Sequence, residues 1–273
     1  TTCADRRVPF PTGAHSTVMI HSLRTLFVLA FLLKLACAQA APRVVHVLVA
    51  LCDNVHQGIV PVPKTLGNGS DPASNLYWGS AFGVKTFFNK STEWKRCGAV
   101  AAPYAYILER VVWKHATEDV YLVADAYDGA HIEQTVKQLL RFAGGNGPEE
   151  QRVDGVRIPC GGAADLVVYV GHDGLMDFAV PTMEASVAKG KPVIVLACIS
   201  RRYFAAPLTS AGSHPLLWTT GLMAPEAYTL KAALDGWVAG ETDAQVSERA
   251  AQAYAKYQKC SVSAARRLLV AGP

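Results

Sequence analysis

Two residue types that together perform nucleophilic catalysis, a histidine and a cysteine, each follow a short apolar run of the chain. The run 166–170 is followed after one glycine by His172, and the run 193–197 is followed directly by Cys198. Both runs are rich in β-branched residues and have the length of buried parallel strands. The carboxyl ends of neighbouring parallel strands meet at one edge of an open α/β sheet, where ligands bind. We therefore predict that the thiol and the imidazole lie at one site and form a nucleophile–base pair.

The chemistry expected of this pair is acyl transfer. His172 would accept the thiol proton, and Cys198 would attack an acyl carbon. Asp173, or alternatively Asp177, would orient the imidazole. The resulting hypothesis is a cysteine hydrolase or peptidase that needs no cofactor and no metal, acting on a peptide or a small-molecule ligand.

Polar side chains at the ends of other predicted strands would line the same edge. The strand 43–51 is followed by two acidic or amide residues and a histidine, and the strand 120–124 by two aspartates and a tyrosine. The candidate binding residues are Asp53, Asn54, His56, Asp125, Tyr127, Asp128, Asp177, Ser200 and Arg201.

Two other classes of function use the same edge. In the first, carboxylate and imidazole groups converge on a divalent metal in a metal-dependent hydrolase; the ligands would come from Asp53, His56, Asp125, Asp128, His172 and Asp173. In the second, the domain is not catalytic and binds a ligand or a protein through the loop 57–63 and the segment 75–79. A chelator would abolish the metal-dependent activity, and a thiol alkylator would abolish the cysteine-dependent one.

The N-terminal region has the pattern of an export signal. A basic start is followed by the apolar run 26–33 and by Ala-Gln-Ala at 38–40, which predicts a secretory signal peptide over 19–40. We interpret residues 1–18 as sequence upstream of the native start and 41–273 as a single α/β domain. The expected location is the periplasm or the medium, and an apolar core this short predicts no stable membrane insertion after cleavage.

Charge argues against nucleic-acid partners. The chain has a formal net charge of +4, of which the first forty residues carry +3, and no clustered basic run remains beyond them. Five cysteines lie after the leader. In an oxidising compartment an odd number leaves at least one thiol free, and we expect this to be Cys198, with two of Cys97, Cys160 and Cys260 bridged.

The remaining pattern supplies the elements that position these residues. Asp71-Pro72 predicts the start of a helix that runs to about Asn89. Strands over 106–113 and 120–124 are joined by a turn, and an apolar stripe predicts a helix over 132–143. A polar loop over 146–155 leads into the central strands. Between Cys198 and a strand at 216–220 the order of elements predicts a helix, with a Pro- and Gly-containing loop after Tyr203. A helix around 230–237 follows, and then a last long helix from a Thr242–Gln245 capping box to about Lys259.

This order of elements predicts a doubly wound α/β fold, with a mostly parallel sheet flanked by helices. The strings V-H-V-L-V-A-L-C-D-N, Q-G-I-V-P-V-P, N-L-Y-W-G, V-A-D-A-Y and V-G-H-D-G resemble a family of exported proteins of Gram-negative bacteria, a likeness that implies no activity.

His172 and the Ala197-Cys198 pair more remotely resemble the caspase-like cysteine peptidases, which place a histidine after the third core strand and a cysteine after the fourth. This resemblance implies a three-layer sandwich of the caspase-like or flavodoxin-like kind and a peptidase activity. The chain departs from that family in two ways: Asp173 stands where glycine usually follows the histidine, and the two residues are closer in sequence than usual.

Overall fold

An eight-stranded mixed sheet forms the centre of the part of the chain that the structure describes. The structure is a computed structural model, and it describes residues 1–2, 41–98, 100–181 and 190–272. The predicted signal peptide at 19–40 and most of the segment before it lie outside these residues. The strands are β1 (Arg43–Ala50), β2 (Trp94–Arg96), β3 (Ile107–His115), β4 (Val120–Tyr127), β5 (Pro148–Val153), β6 (Val156–Gly161), β7 (Leu166–Val170), β8 (Pro192–Leu196), β9 (His214–Thr219) and β10 (Leu269–Val270).

The sheet has the order β10-β9-β8-β7-β1-β4-β3-β2, and β5 and β6 form a separate two-stranded sheet. Strands β4, β1, β7, β8 and β9 are parallel, and β2, β3 and β10 pair antiparallel at the two sides. Numbered along the chain, the parallel strands lie in the order 2-1-3-4-5, which places the topological switch point between β1 and β7. The predicted doubly wound, mostly parallel sheet is confirmed.

Helices cover both faces of this sheet. They are α1 (Val84–Asn89), α2 (Ile132–Ala143), α3 (Ser200–Ser210), α4 (Ala227–Val238), α5 (Asp243–Gln258) and α6 (Val262–Leu268). Apolar residues of α2, α3 and the β5–β6 hairpin pack against one face, and apolar residues of α1, α4, α5 and α6 pack against the other. The result is the predicted three-layer α/β arrangement, in which β1 and β7 are buried from both sides.

Several local predictions are confirmed at the residue level. The strand predicted over 166–170 is β7, and the helix predicted over 132–143 is α2. The capping box at the start of α5 forms as expected: the Thr242 side chain accepts a hydrogen bond from the backbone of Gln245, whose side chain in turn accepts one from the Thr242 amide. Helix α5 ends before Lys259, which adopts the left-handed conformation.

The helix predicted from Asp71 to Asn89 is wrong over most of its length. Residues 71–83 form turns, and only α1 is helical. The Asp71 carboxylate accepts hydrogen bonds from the Ala73 amide and the Ser74 hydroxyl, and the Asn75 side chain bonds both backbone groups of Cys52. Short polar side chains that bond to nearby backbone compete with a helix in this way. The segment is thereby fastened to the end of β1.

One element was not predicted, and another is longer than expected. The stretch expected as a polar loop contains the β5–β6 hairpin, whose turn residues Asp154 and Gly155 both have positive φ. The helix expected between the strands 193–197 and 216–220 is α3, which continues through the predicted loop after Tyr203 and contains Pro207 near its end. Proline has no amide hydrogen, so one helical hydrogen bond is missing at this position, and α3 ends three residues later at Ser210.

Pro42–Pro273 form one compact unit. Within the described residues, no helix is both long and apolar enough to cross a membrane.

Candidate active site

His172 and Cys198 follow adjacent parallel strands at the carboxyl edge of the sheet. Val170 of β7 is the register partner of Leu196 of β8, and the Gly171 amide donates a hydrogen bond of 3.2 Å to the Leu196 carbonyl. His172 and Cys198 each come two residues after this register pair. The sheet therefore brings the two residues to neighbouring positions beside the switch point, as the sequence predicts.

The chain makes a strained turn directly after Cys198. Ile199 has φ 51° and ψ 29°, a left-handed conformation that is rare for a β-branched residue. Its amide donates a 2.8 Å hydrogen bond to the Gly221 carbonyl, and Ser200 begins α3. Strain of this kind persists only where surrounding structure imposes it, and it is concentrated at functional sites. The turn leaves the thiol at a strand–helix junction, at the positive end of the α3 dipole.

The thiol of Cys198 is half-buried and contacts the loop after β9. The Met223 amide lies 3.4 Å from Sγ as a donor, and the Met223 carbonyl accepts from the thiol at 3.6 Å. Tyr77 lies close by: burial, followed by the nearby thiols of Cys52 and Cys198, raises the pKa of its phenol well above the usual value. A backbone N–H aimed at sulfur stabilises a developing negative charge there.

The imidazole of His172 is nearly buried and is held by Asp177. Its Nε2 lies 2.8 Å from Asp177 Oδ2, which also accepts a 2.9 Å hydrogen bond from the Gly58 amide. The His172 carbonyl accepts from the Tyr169 hydroxyl at 2.7 Å. Of the two carboxylates expected to orient the ring, Asp177 makes the contact. Among the described residues no hydrogen bond joins His172 to Cys198, and such bonds often form only when substrate is bound.

Asp173 has a different environment from Asp177. Its side chain is fully buried, Oδ1 accepts from the Leu175 amide at 3.1 Å, and Oδ2 has no hydrogen-bond partner among the described residues. Burial, together with the charge of Asp177, raises the pKa of Asp173 to about 7 against the effect of the Leu175 bond. The carboxyl group is therefore partly protonated near neutral pH.

A polar pocket lies on the other side of β1, at the ends of β1 and β4. It has a volume of about 360 Å³. Its lining residues include Asp53, Asn54, His56, Lys64 and Asp128. Asp53 Oδ2 lies 2.8 Å from His56 Nδ1, and the Asn54 side chain bonds both backbone groups of Val62. Four of the predicted binding residues thus come together, although most of their polar atoms already bond within the loop.

Three predicted binding residues, Asp125, Tyr127 and Ser200, are fully buried and do not reach this edge, which contradicts their assignment as binding residues. The predicted strand 120–124 continues to Tyr127, so Asp125 and Tyr127 lie inside β4 and are fully buried. The Tyr127 hydroxyl donates to Gln138, and the buried Ser200 hydroxyl donates to the Val195 carbonyl. Arg201 is exposed on α3, with its guanidinium 6.0 Å from the centre of the Trp218 ring.

Asp125 instead belongs to a buried ionic network that sequence reasoning missed. Arg110 on β3 donates two hydrogen bonds of 2.6 Å to its carboxylate, and His46 Nε2 lies 2.9 Å from it. Burial alone would raise the pKa of Asp125, but the bonds from Arg110 and His46 outweigh it and lower this pKa. A histidine and an aspartate in otherwise apolar strands were the available signal, because buried charges require partners.

The metal hypothesis is not supported by the arrangement of its ligands. Asp125 lies within the sheet and bonds Arg110, and Asp53 bonds His56. The imidazole of His172 bonds Asp177, which is not one of the proposed ligands. No group of three or more His, Cys, Asp or Glu side chains in the described ranges is placed to hold a metal ion.

The expected disulfide is also absent: Cys52, Cys97, Cys160, Cys198 and Cys260, the cysteines of the described residues, are all free thiols. Burial raises the pKa of Cys52 to about 11 and that of Cys160 to about 12. Both groups are therefore poor nucleophiles at neutral pH, since the thiolate is the reactive form.

Comparisons of the chain with protein-family models, curated proteins and solved structures found no match. Because a fold of this class hosts many unrelated activities, function has to be argued from the chemistry of the site.

Proposed function

We propose that this protein is a cysteine hydrolase in which Cys198 is the nucleophile and His172 the general base. The observation that supports the proposal is the register of β7 and β8, in which His172 and Cys198 each come two residues after the paired Val170 and Leu196, at the edge where α/β sheets bind ligands. Each residue is the first reactive side chain after its strand.

The reaction would proceed by acyl transfer. His172 takes the thiol proton, Sγ of Cys198 attacks the acyl carbon, and a tetrahedral intermediate forms. The intermediate collapses as the bond to the leaving group breaks and the imidazolium returns its proton to that group. Water, deprotonated by His172, then attacks the thioester and releases the acid and the free thiol.

Other groups at the site support these steps. Asp177 fixes the ring of His172 and would stabilise the imidazolium through Nε2, which requires the thiol proton to pass through Nδ1. The Met223 amide stabilises charge on sulfur. Gly174 begins a short 3-10 helix after β7, in which the Leu175 amide bonds the Asp173 carboxylate and the Met176 amide bonds the Asp173 carbonyl. We assign the oxyanion site to the Gly174 amide, since the Gly171 amide is already bonded within the sheet.

The resemblance to caspase-like peptidases supports a peptide substrate. Counted along the chain, β7 and β8 are the third and fourth parallel strands, the positions at which that family places its histidine and cysteine. The signal-peptide pattern at 19–40 supports a periplasmic or secreted location for this activity.

Acyl transfer to Cys198 is the direct test. Incubation with p-nitrophenyl acetate should release p-nitrophenol and acetylate Cys198, detected by mass mapping of the quenched protein. His172→Ala should lower the rate of Cys198 acetylation by about 100-fold or more, in the range of general-base contributions, and Cys198→Ser should remove the acetylated thiol and the p-nitrophenol release that depends on it. Asp177→Asn, which keeps the shape of the side chain, should give an intermediate loss, and Cys260→Ser should have no effect. Acetylation of Cys198 at equal rates in wild type and His172→Ala would refute the proposal.

The polar pocket at the ends of β1 and β4 favours a second function, non-catalytic binding of a polar small molecule. Its lining combines the carboxylates Asp53 and Asp128 with Lys64 and His56. If Cys198 is not acylated, this pocket becomes the primary candidate site. Substitution of Lys64 by alanine would then reduce ligand binding without changing thiol reactivity.

A further inference from the structure

Large apolar side chains are exposed on several loops that follow strands at the carboxyl edge. Val55 and Val60 follow β1 and are 79% and 88% exposed, Met176 follows β7 and is 41% exposed, and Leu222 follows β9 and is 73% exposed. Single exposed apolar residues are common on protein surfaces. Two of the four, Met176 and Leu222, lie next to Asp177 and Met223, the residues that bond His172 and Cys198, and their exposure there requires a reason.

Leu222 is fixed beside the nucleophile. Its neighbour Gly221 accepts the hydrogen bond from Ile199, and its other neighbour Met223 bonds the Cys198 thiol through both backbone groups. Leu222 therefore lies between two residues tied to the 198–199 turn, with its side chain in solvent.

An apolar cavity lies on the histidine side of the same pair. It has a volume of about 400 Å³ and is lined by Leu175, Met176, Asp177, Phe178, Ala179, Val180, Tyr203 and Pro207. This volume falls within the usual range for ligand sites. Asp177 is the one acidic or basic residue among the lining residues that the structure describes, and its carboxylate is occupied by His172 and the Gly58 amide.

The lining of the cavity disfavours charged groups. Among its described lining residues the cavity offers no unoccupied counter-charge, and the nearby guanidinium of Arg202 already lies 5.5 Å from the centre of the Tyr203 ring. A charged side chain entering the cavity would lose hydration without gaining a partner. An apolar side chain would gain from leaving water in the same place.

We infer that the substrate is an extended polypeptide segment with large apolar side chains next to the bond that is cleaved. One apolar side chain occupies the cavity beside Asp177, and a second packs on Leu222. This inference rests on the proposed function, because it assigns the substrate class of the same Cys198 and His172 site.

Electrophilic peptides test this inference on the intact protein. Peptidyl chloromethyl ketones carrying leucine, phenylalanine, lysine or aspartate next to the ketone would be compared, with labelling of Cys198 followed by mass mapping. The thiolate displaces chloride, so that a C–S bond forms as the C–Cl bond breaks. The leucine and phenylalanine probes should react about 10-fold or more faster than the charged ones, a discrimination typical of apolar pockets.

Variants at exposed positions separate recognition from folding. Leu222→Ser and Met176→Ser should each slow the apolar probes several-fold and leave labelling by iodoacetamide, which carries no side chain, unchanged. Val262→Ser, an exposed valine at the start of α6, is the matched control and should change neither rate.

The outcomes distinguish the two claims. Equal rates for apolar and charged probes, with labelling by iodoacetamide still dependent on His172, would overturn the substrate class and leave the hydrolase intact. Loss of His172-dependent labelling with every reagent would overturn both.

Discussion

Asp173 and Asp177 lie four residues apart after β7, and their surroundings give the two carboxyl groups different roles. Asp177 is partly exposed and bonds His172 and the Gly58 amide, so it is placed to hold an imidazolium. Asp173 is fully buried, with one oxygen lacking a hydrogen-bond partner among the described residues. Its protonated form is favoured because burial penalises the charge. The sequence favoured Asp173, which directly follows His172, with Asp177 as the alternative, whereas the three-dimensional contacts join Asp177 to the ring.

Asp173 should make the stability of the protein depend on pH. Its folded-state pKa of about 7 lies above the ordinary value of 3.8, so the folded state binds more protons than the unfolded state between these values. The free energy of unfolding therefore decreases as pH rises from 3.8 to about 7. Above about pH 7 Asp173 causes little further decrease. Between about pH 5 and about pH 8 the loss from this residue is on the order of 3 kcal/mol.

Urea denaturation of wild type and Asp173→Asn at these two pH values measures this effect. The neutral, isosteric variant should lack the contribution, so its stability relative to wild type should rise with pH. Parallel pH profiles for the two proteins would contradict the assignment.

At the scale of elements, the site depends on how closely β1 and β7 approach at the switch point. Gly171 has φ 154°, and a Cβ atom there would come within 2.9 Å of the Ala50 carbonyl oxygen and 3.0 Å of the Ala50 Cβ. Gly58 serves the same purpose in the loop after β1, since a Cβ atom there would lie 2.4 Å from Asp177 Oδ1. Both glycines allow backbone to approach the residues that hold His172.

Gly171→Ala should destabilise the protein by about 1–3 kcal/mol, the usual cost of overpacking. The change also displaces the segment that carries His172, so acyl transfer to Cys198 should slow. Gly240→Ala is the control: its φ of 71° is also positive, but open space surrounds it. Its cost should be limited to backbone strain, with no change in acyl transfer. Equal effects of the two substitutions on both urea unfolding and acyl transfer would contradict this view of the switch point.

The sequence predicted the strands and helices that have a periodic apolar pattern. The prediction was wrong where hydrogen bonds of polar side chains determine the local structure. Strand β7 and helix α2 have clear periodicity, and the order of strands placed His172 and Cys198 at one edge. The segment 71–83 was assigned to a helix because its bonds to the end of β1 are long-range and leave no periodic signal. The β5–β6 hairpin could have been predicted from Asp154-Gly155, a strong hairpin signal between short strands.

For the whole molecule, the carboxyl edge of one sheet carries His172 and Cys198, the apolar cavity and the polar pocket, on either side of β1. The layers hold the buried Arg110–Asp125–His46 network and the two apolar cores. Cys52 and Cys160 lie within these packed layers, whereas Cys198 lies at the edge.

The central claim is that His172 activates Cys198, and alkylation of the native protein by iodoacetamide at neutral pH tests it most directly. Cys260 is exposed and provides an internal reference thiol, and buried Cys52 and Cys160 report on unfolding. The account predicts that Cys198, although half-buried, is alkylated faster than Cys260, and that His172→Ala reverses this order without changing the rate at Cys260. Alkylation of Cys260 first in the wild type, with Cys198 modified only as Cys52 and Cys160 become accessible, would contradict it.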